Sequence, residues 1–240
     1  MTPEALTALV DATWPAAQFG RAGGFVIRRG DGGGSRVSAA SACDAMPDID
    51  AAEAAMRALG QGPLFMIRAG EDRLDSALAT RGYRVKDPVT LWSAPVSCLA
   101  TRRPPPVTGF EVWPPLAIQR ELWAEAGIGP ARLAVMARVA GPRTTLLGRL
   151  DDTPAGCAFV ACDGPRAMLH ALEVAPRFRR RGLAGHLMRA AAFWARDAGA
   201  DTLSVLVTRA NAGGNSLYRT LGMTAGTGYH YRIHPDAAAA

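Results

Sequence analysis

Between Ala167 and Ala198 the chain passes from an apolar strand pattern, through three consecutive arginines and a glycine, into a long helical pattern. The strand reads Ala167-Met-Leu-His-Ala-Leu-Glu-Val174 and the turn Arg179-Arg-Arg-Gly182. The helical stretch runs from about Leu183 to Ala198, with Leu183, Leu187, Ala191, Trp194 and Ala198 at helical spacing and Gly199 as its stop. A turn of this kind aims several backbone N–H groups at one spot, and the helix that follows adds its positive dipole end, so the segment predicts an anion site suited to a diphosphate. A merely solvated basic helix start fits less well, because positive charge there opposes the dipole. The segment is not a P-loop, which ends in Gly-Lys-Ser/Thr, and not a G-x-G-x-x-G fingerprint.

What it fits is Arg/Gln-x-x-Gly-x-Gly/Ala, filled by Arg179, Gly182 and Ala184. Gly182 would let the backbone approach a diphosphate without a Cβ in the way, and the small Ala184 would let the helix sit close to its strand. Downstream, Thr202-Leu-Ser-Val-Leu-Val-Thr208 reads as a β-branched strand, followed by Asn211 and by Leu217-Tyr-Arg-Thr-Leu-Gly222-Met223. These two motifs, in this order and spacing, resemble the GCN5-related N-acetyltransferase (GNAT) superfamily. The resemblance runs from about Thr108 to His234, with Gly109 to Trp113 as a first strand, helical stretches around Ile118 to Ala126 and Ala131 to Val139, and a meander from Thr144 to Val160.

The resemblance implies an α+β GNAT fold, a mixed and mostly antiparallel central sheet flanked by helices. It implies acetyl-CoA (coenzyme A) as cofactor, and direct transfer of the acetyl group to a primary amine of a small molecule or peptide. A coenzyme-binding regulatory or scaffold protein without transfer activity is the alternative. Carried over by motif, the loop Arg179, Arg180, Arg181, Gly182, Leu183 and Ala184 would hold the pyrophosphate. Backbone groups near Leu172 and Val174 would pair with the pantetheine arm, with Asn211 and Tyr218 completing the cofactor site. Tyr218 would protonate the departing thiolate, since a tyrosine hydroxyl of pKa ~10 can supply a proton within hydrogen-bond reach. An alkylammonium of pKa ~10.4 must lose a proton before it attacks, and the motif marks no base. Glu173 is the candidate, ahead of His170. Strict alternation puts His170, Leu172 and Val174 on one face and Glu173 on the other, a count that a bulge would break.

The rest of the composition narrows the class. In 240 residues, 49% hydrophobic content is ample for a core. Cys43, Cys98, Cys157 and Cys162 are scattered, which suggests neither disulfides nor zinc. The start lacks a basic region followed by an apolar run, and no stretch reaches ~20 apolar residues, so no membrane association and a cytoplasmic location are expected. The net charge of +6 invites a nucleic-acid partner, yet Lys86 is the single lysine and the arginines are spread along the chain without interleaved aromatics. No nucleic-acid partner is expected, and the chain is read as a monomer or homodimer. His230 and His234 share a strand face but lack a third ligand, so no metal site is expected. Trp113, Trp123 and Phe110 are read as core, with the acceptor pocket as the other possibility; His186 either touches the cofactor or is solvated.

Residues 1–100 read as a smaller α+β unit. Thr2, Pro3 and Glu4 open a helix that ends before Trp14-Pro15. Phe25-Val-Ile-Arg-Arg and Arg36-Val-Ser-Ala-Ala-Ser flank Gly30-Asp-Gly-Gly-Gly34, read as a hairpin turn. A helix from about Ile49 to Leu59, a strand Leu64 to Arg68, a helix Asp72 to Thr80 ending at Gly82, and strands at Tyr83-Arg-Val and Thr90-Leu-Trp-Ser follow. Leu74-Asp-Ser-Ala-Leu-Ala-Thr-Arg-Gly82-Tyr83 echoes Ser216-Leu-Tyr-Arg-Thr-Leu-Gly222-Met223, so this unit is expected to be a degenerate, partial copy of the GNAT fold without a coenzyme loop. Arg102-Arg-Pro-Pro-Pro106 marks a stiff linker at 101–107, because a proline run excludes helix and lacks ladder donors. The catalytic domain is then 108–236, with 237–240 a disordered tail.

Overall fold

The computed structural model describes residues 1–235; the expected tail at 237–240 lies outside the described residues. In chain order the first elements are α1 (Pro3–Thr13), β1 (Gln18–Ala22), β2 (Phe25–Arg29), α2 (Ser35–Ser38), β3 (Ala40–Ala42), α3 (Ile49–Ala58), β4 (Leu64–Arg68), α4 (Asp72–Thr80), β5 (Arg84–Lys86), β6 (Val89–Pro95) and α5 (Val96–Leu99). Beyond the proline run come β7 (Gly109–Val112), α6 (Ala117–Glu125), α7 (Pro130–Arg138), β8 (Arg143–Leu150), β9 (Thr153–Asp163), β10 (Arg166–Val174), α8 (Leu183–Asp197), β11 (Thr202–Thr208), α9 (Ala212–Thr220), β12 (Thr224–Gly226) and β13 (Tyr229–Ile233). The architecture is mixed α+β, with helices packed on two mixed sheets.

Local chemistry accounts for the element ends. Thr2 caps α1 by accepting from Ala5 N at 3.2 Å, and Asp48 caps α3 by accepting from Asp50 N and Ala51 N. The glycine stops at 82, 199 and 222 all adopt positive φ, which only glycine takes without cost.

Two sheets carry the fold. One has the order β1-β2-β3-β4-β13-β5, the other β12-β6-β11-β10-β9-β8-β7. The sheets therefore do not part at the proline run. β6, which precedes it, lies between β11 and β12, while β13, which ends the described chain, lies between β4 and β5. The order β4-α4-β5-β6 recurs as β11-α9-β12-β13, and each set lends its last strand to the other sheet. The expected boundary at 101–107 thus separates neither sheet, because chain order does not reveal which edge a strand will complete. α1 also crosses over, packing on β9 and β10.

The glycine run at 30–34 is not a hairpin turn. The tight hairpin is Gly23-Gly24, both at positive φ, joining β1 to β2; the later run is a longer connection containing α2. Gly33 is demanded by packing, since a Cβ there would come within 2.7 Å of Val135 Cγ2 on α7 and of Val37 Cγ2, and Gly30 is crowded by Ser38, while Gly32 and Gly34 take positive φ.

α8 packs on β8, β9 and β10 over a core that includes Leu146, Val160, Leu169, Leu187 and Ala191. Its closest approach is made by Leu183 over Gly148 and Gly156, where added Cβ atoms would lie 3.0 and 3.3 Å from Leu183 methyls. Ala184, expected to permit that approach, instead faces the neighbouring cleft.

Candidate active site

β10 and β11 run parallel and paired only from Arg166↔Thr202 to Leu169↔Val205. Beyond that point they part, and the reason is an extra residue in β10. Opposite β9, His170 faces Phe159 and Glu173 faces Cys157, so three steps on one strand match two on the other. The surplus is taken up at Ala171, whose φ of +50 is left-handed. A non-glycine residue there costs about 1–3 kcal/mol and persists only where its surroundings hold it. Here the indole Nε1 of fully buried Trp123 donates to the Ala171 carbonyl at 2.8 Å. Trp123 is therefore core, as one reading of the sequence had it, and also a brace on the bulge.

The bulge corrects the alternation count. His170 and Glu173 share the face of Phe159 and Cys157, toward α1 and α6, while Leu172 and Val174 turn to the other face, against the core beneath α8. On that second face a cleft of about 680 Å³ opens between the parted strands, the start of α8 and helix α9. Leu172, Glu173 and Val174 line one wall, Asn211 and Tyr218 the other, and Arg179, Arg180, Gly182, Leu183 and Ala184 its end. Of the residues singled out in the sequence only Arg181 is missing from the lining. Its guanidinium pairs with Asp151 at 2.8 Å, leaving its backbone alone on the loop.

The loop has the form expected of an anion cradle. After a short 3₁₀ turn at Pro176–Phe178, Arg180 is left-handed at φ +62 and Gly182 at φ +87, and no side chain caps the start of α8. Alternating left-handed residues make successive N–H groups converge, and an uncapped 15-residue helix leaves its first-turn donors free. These free donors fit a diphosphate, so Gly182, Leu183, Ala184 and the arginine backbones could hold the coenzyme at this end. Arg179 is held over the cleft mouth by its Nε donating to the Val174 carbonyl at 3.0 Å.

Two titratable groups border the cleft, Tyr218 from α9 and Glu173 from the α6 side of β10. Tyr218 is buried at 5% exposure, beside Trp92, and its hydroxyl is pushed well above the ordinary tyrosine value by that burial and then by the Glu173 carboxylate. Glu173 is half-buried; burial raises its carboxyl above 4.5, opposed by Arg179 and Arg132. Glu173 also borders a small cavity of about 50 Å³ beneath α6, which it shares with Leu122, Glu125 and Arg179. Asn211 serves as the N-cap of α9, accepting from Gly214 N at 2.8 Å. Asn215, which the sequence did not single out, ties this corner together: its Oδ1 accepts from Trp92 Nε1 at 3.0 Å and its Nδ2 donates to the Asn211 carbonyl at 2.7 Å. Two β-strand ends, an asparagine-capped helix and a Trp supplied by the other half are brought to one place. The Trp had no sequence signal, because it arrives on the exchanged strand β6.

The remaining candidates fall elsewhere. His170 is 3% exposed on the opposite face, and His230 bonds Asp75 at 2.8 Å. Among the described residues no three His, Cys, Asp or Glu side chains converge as a metal site would need, and no helix is long and apolar enough to cross a membrane.

The parallel pair that splays at a bulge, opening onto an uncapped helix start with a left-handed glycine, lies within the segment that matches an acetyltransferase family. Residues 108–223 match the model of the acetyltransferase (GNAT) family. Among solved structures, a GCN5-related N-acetyltransferase from Kribbella flavida superposes with a TM-score of 0.71 at 19% identity, covering 98% of this chain and 96% of that one. A conserved protein of unknown function from Staphylococcus epidermidis gives 0.68 at 12% identity, covering 93% and 95%. A tandem GNAT protein from the clavulanic acid biosynthesis pathway gives 0.54 at 13%, covering 88% and 77%. At these identities the likeness is one of fold, and it spans both halves of the chain. Among curated protein sequences none matches.

Proposed function

We propose that the protein transfers an acetyl group from acetyl-CoA to a primary amine of a small molecule or peptide, at the cleft between β10 and α9. One observation carries the reading: Glu173 and Tyr218 line the same cleft, close enough for the charge of one to raise the pKa of the other, at the point where β10 leaves β11. When bound, acetyl-CoA supplies an activated thioester. The loop from Arg179 to Ala184 would hold its diphosphate by backbone N–H groups and the helix dipole. The edge of β10 from Leu172 to Val174, freed by the splay, offers backbone donors and acceptors to an extended amide-bearing arm. Glu173, its carboxyl raised by burial, accepts a proton from the ammonium of the acceptor, and Tyr218 donates one to the sulfur that leaves. An amine fits the small cavity beneath α6 because Glu173 and Glu125 both border it.

Calorimetry with acetyl-CoA tests the donor half, and release of coenzyme A across polyamines, aminoglycosides, amino acids and peptide N-termini tests the acceptor half. Absence of binding at roughly tens of micromolar refutes the donor site. Tyr218→Phe is expected to lower kcat by about a hundredfold or more with unchanged acetyl-CoA affinity, since its hydroxyl acts only on the leaving group. Unchanged turnover removes Tyr218 from the mechanism.

A further inference from the structure

His170 lies three residues before Glu173 on the same strand and is enclosed by residues of the N-terminal half. Arg36 of α2 reaches it with Nη1, 3.0 Å from the imidazole Nδ1. A guanidinium can only donate, so Nδ1 accepts and the ring hydrogen belongs on Nε2. Nε2 in turn lies 3.0 Å from Thr13 Oγ1, and the Thr13 hydroxyl donates to the Leu9 carbonyl at 2.6 Å. Every link in this chain has one direction. Trp14 covers the ring, stacked at 4.9 Å, and Phe159 lies beside both, 6.2 Å from the imidazole and 6.0 Å from Trp14. Of the charged or titratable groups around it, Arg36 faces the ring directly, while Tyr229 and Tyr231 of β13 interact electrostatically with Arg36. α1, β9 and α6 contribute only neutral groups at this point, Thr13, Trp14, Phe159 and Trp123.

The residue after His170 is the left-handed Ala171, held from α6 by Trp123. The bulge is thus gripped on one side by its own half and on the other by α1 and α2. We propose that His170 is a positioning residue for the transfer reaction: held on both ring nitrogens by Arg36 and Thr13, it fixes the start of the bulge and so sets the Glu173 carboxylate, which shares its face of β10. This rests on the reading of that cleft as the transfer site, and it makes the N-terminal half part of the catalytic apparatus.

The network itself is read by long-range ¹H–¹⁵N spectra of histidine-labelled protein, with the His170 signal assigned by its loss in His170→Gln. The expected result is a neutral Nε2–H ring that does not titrate between about pH 5.5 and 8. An Nδ1–H ring, or one that titrates in that range, overturns the proposal. Kinetics reads the consequence. In His170→Gln the side-chain amide keeps one acceptor for Arg36 and one donor for Thr13, so kcat should stay within about threefold of wild type. His170→Leu leaves both partners unsatisfied and should lower kcat roughly tenfold or more, with the acetyl-CoA Kd held within about twofold. Equal kcat in the two variants, or matching losses of kcat and acetyl-CoA affinity, overturns it. Should His170→Leu fail to fold, Thr13→Val carries the same test, because it removes the acceptor of Nε2–H, along with that hydroxyl's bond to the Leu9 carbonyl, and leaves Arg36 in place. Wild-type protein that fails to bind acetyl-CoA refutes the cleft reading itself, whereas normal binding with an unchanged kcat in His170→Leu refutes the positioning role alone.

Discussion

Gly182 and Gly199 bracket the same helix, α8, and share the same backbone conformation, each at φ +87. This makes them a matched pair for separating the conformational need for glycine from its role in ligand approach. An added Cβ at Gly182 would meet only His186 Nε2, at 3.9 Å, and at Gly199 nothing within 4 Å. Neither substitution by alanine is blocked sterically by the protein. Each should pay about 1–2 kcal/mol for placing a Cβ in the left-handed region, offset by about 0.4–1 kcal/mol from the stiffer unfolded chain. The net is about 1 kcal/mol for either variant, a fall in Tm of about 2–4 °C. Acetyl-CoA affinity should separate them. Gly182 lines the cleft at the free N–H groups, so Gly182→Ala should lose at least one charge-assisted hydrogen bond, about 1.5–3 kcal/mol or roughly 10- to 150-fold in Kd, while Gly199→Ala binds as wild type. Thermal melts establish the equal stability cost and calorimetry the unequal affinity. Binding by Gly182→Ala within twofold of Gly199→Ala would refute the assignment of the loop.

Glu173→Gln should cut kcat by about 10²–10⁴-fold, and the wild-type rate should fall on acidification through a pKa above 4.5, because burial raises this carboxyl and only its ionised form accepts a proton; an acid limb at the ordinary glutamate value would refute the base assignment. Stability should also fall with pH from about 6.5 downward. His170 and His186 have depressed pKa values in the folded state, so the unfolded chain takes up their protons first, and each contributes up to about 1.4 kcal/mol per pH unit of lost stability. Denaturant melts of His170→Gln should show a shallower slope in this window, and an unchanged slope would mean that His170 is not buried neutral. Asp75 leaves the upper part of that window clear: pulled to about 2 first by its hydrogen bond to Arg232, it contributes losses only below about pH 5. A fragment starting at residue 108 should not fold as a monomer, because it lacks β6, the one strand paired with β12 among the described residues and the neighbour of β11; a cooperative melt of that fragment would show the exchange to be dispensable.

Which of these features could be read in advance follows from how local their causes are. The bounds expected for α4, β4 and β11 coincide with those observed, because each has a strong apolar pattern and a nearby breaker such as Gly82. The loop and both cleft walls were legible for the same reason: the strand, turn and helix that build them are contiguous. β1 escaped notice because four of its five residues are exposed, so it shows no alternation. The glycine run at 30–34 carries a turn signal in the sequence because glycine marks a turn and a close packing contact alike, and the contacts of Gly33 with Val135 and of Gly30 with Ser38 are what tell them apart. Ala171 carries no mark of its left-handed φ, because what stabilises it is Trp123, far away in the chain. The pairing of Arg36 with His170 spans 134 positions and leaves no periodic trace.

The strand exchange gives these distant contacts a common physical meaning. Had each half closed its own sheet, the N-terminal half could have drifted relative to β10, and the hold of Arg36 and Thr13 on His170 would vary with that drift. With β6 built into one sheet and β13 into the other, relative motion of the halves would break backbone ladders on both sides at once. Tyr229 and Tyr231, which back Arg36, sit on β13 itself, so the exchanged strand and the grip on the bulge belong to one packed unit. Trp92, which meets Tyr218 and Asn215, sits on the other exchanged strand. Each exchanged strand therefore delivers a support to one wall of the cleft, β13 behind the Glu173 wall and β6 beside the Tyr218 wall. The separation between proposed base and proposed acid is set by the exchange as much as by the GNAT segment that bears them.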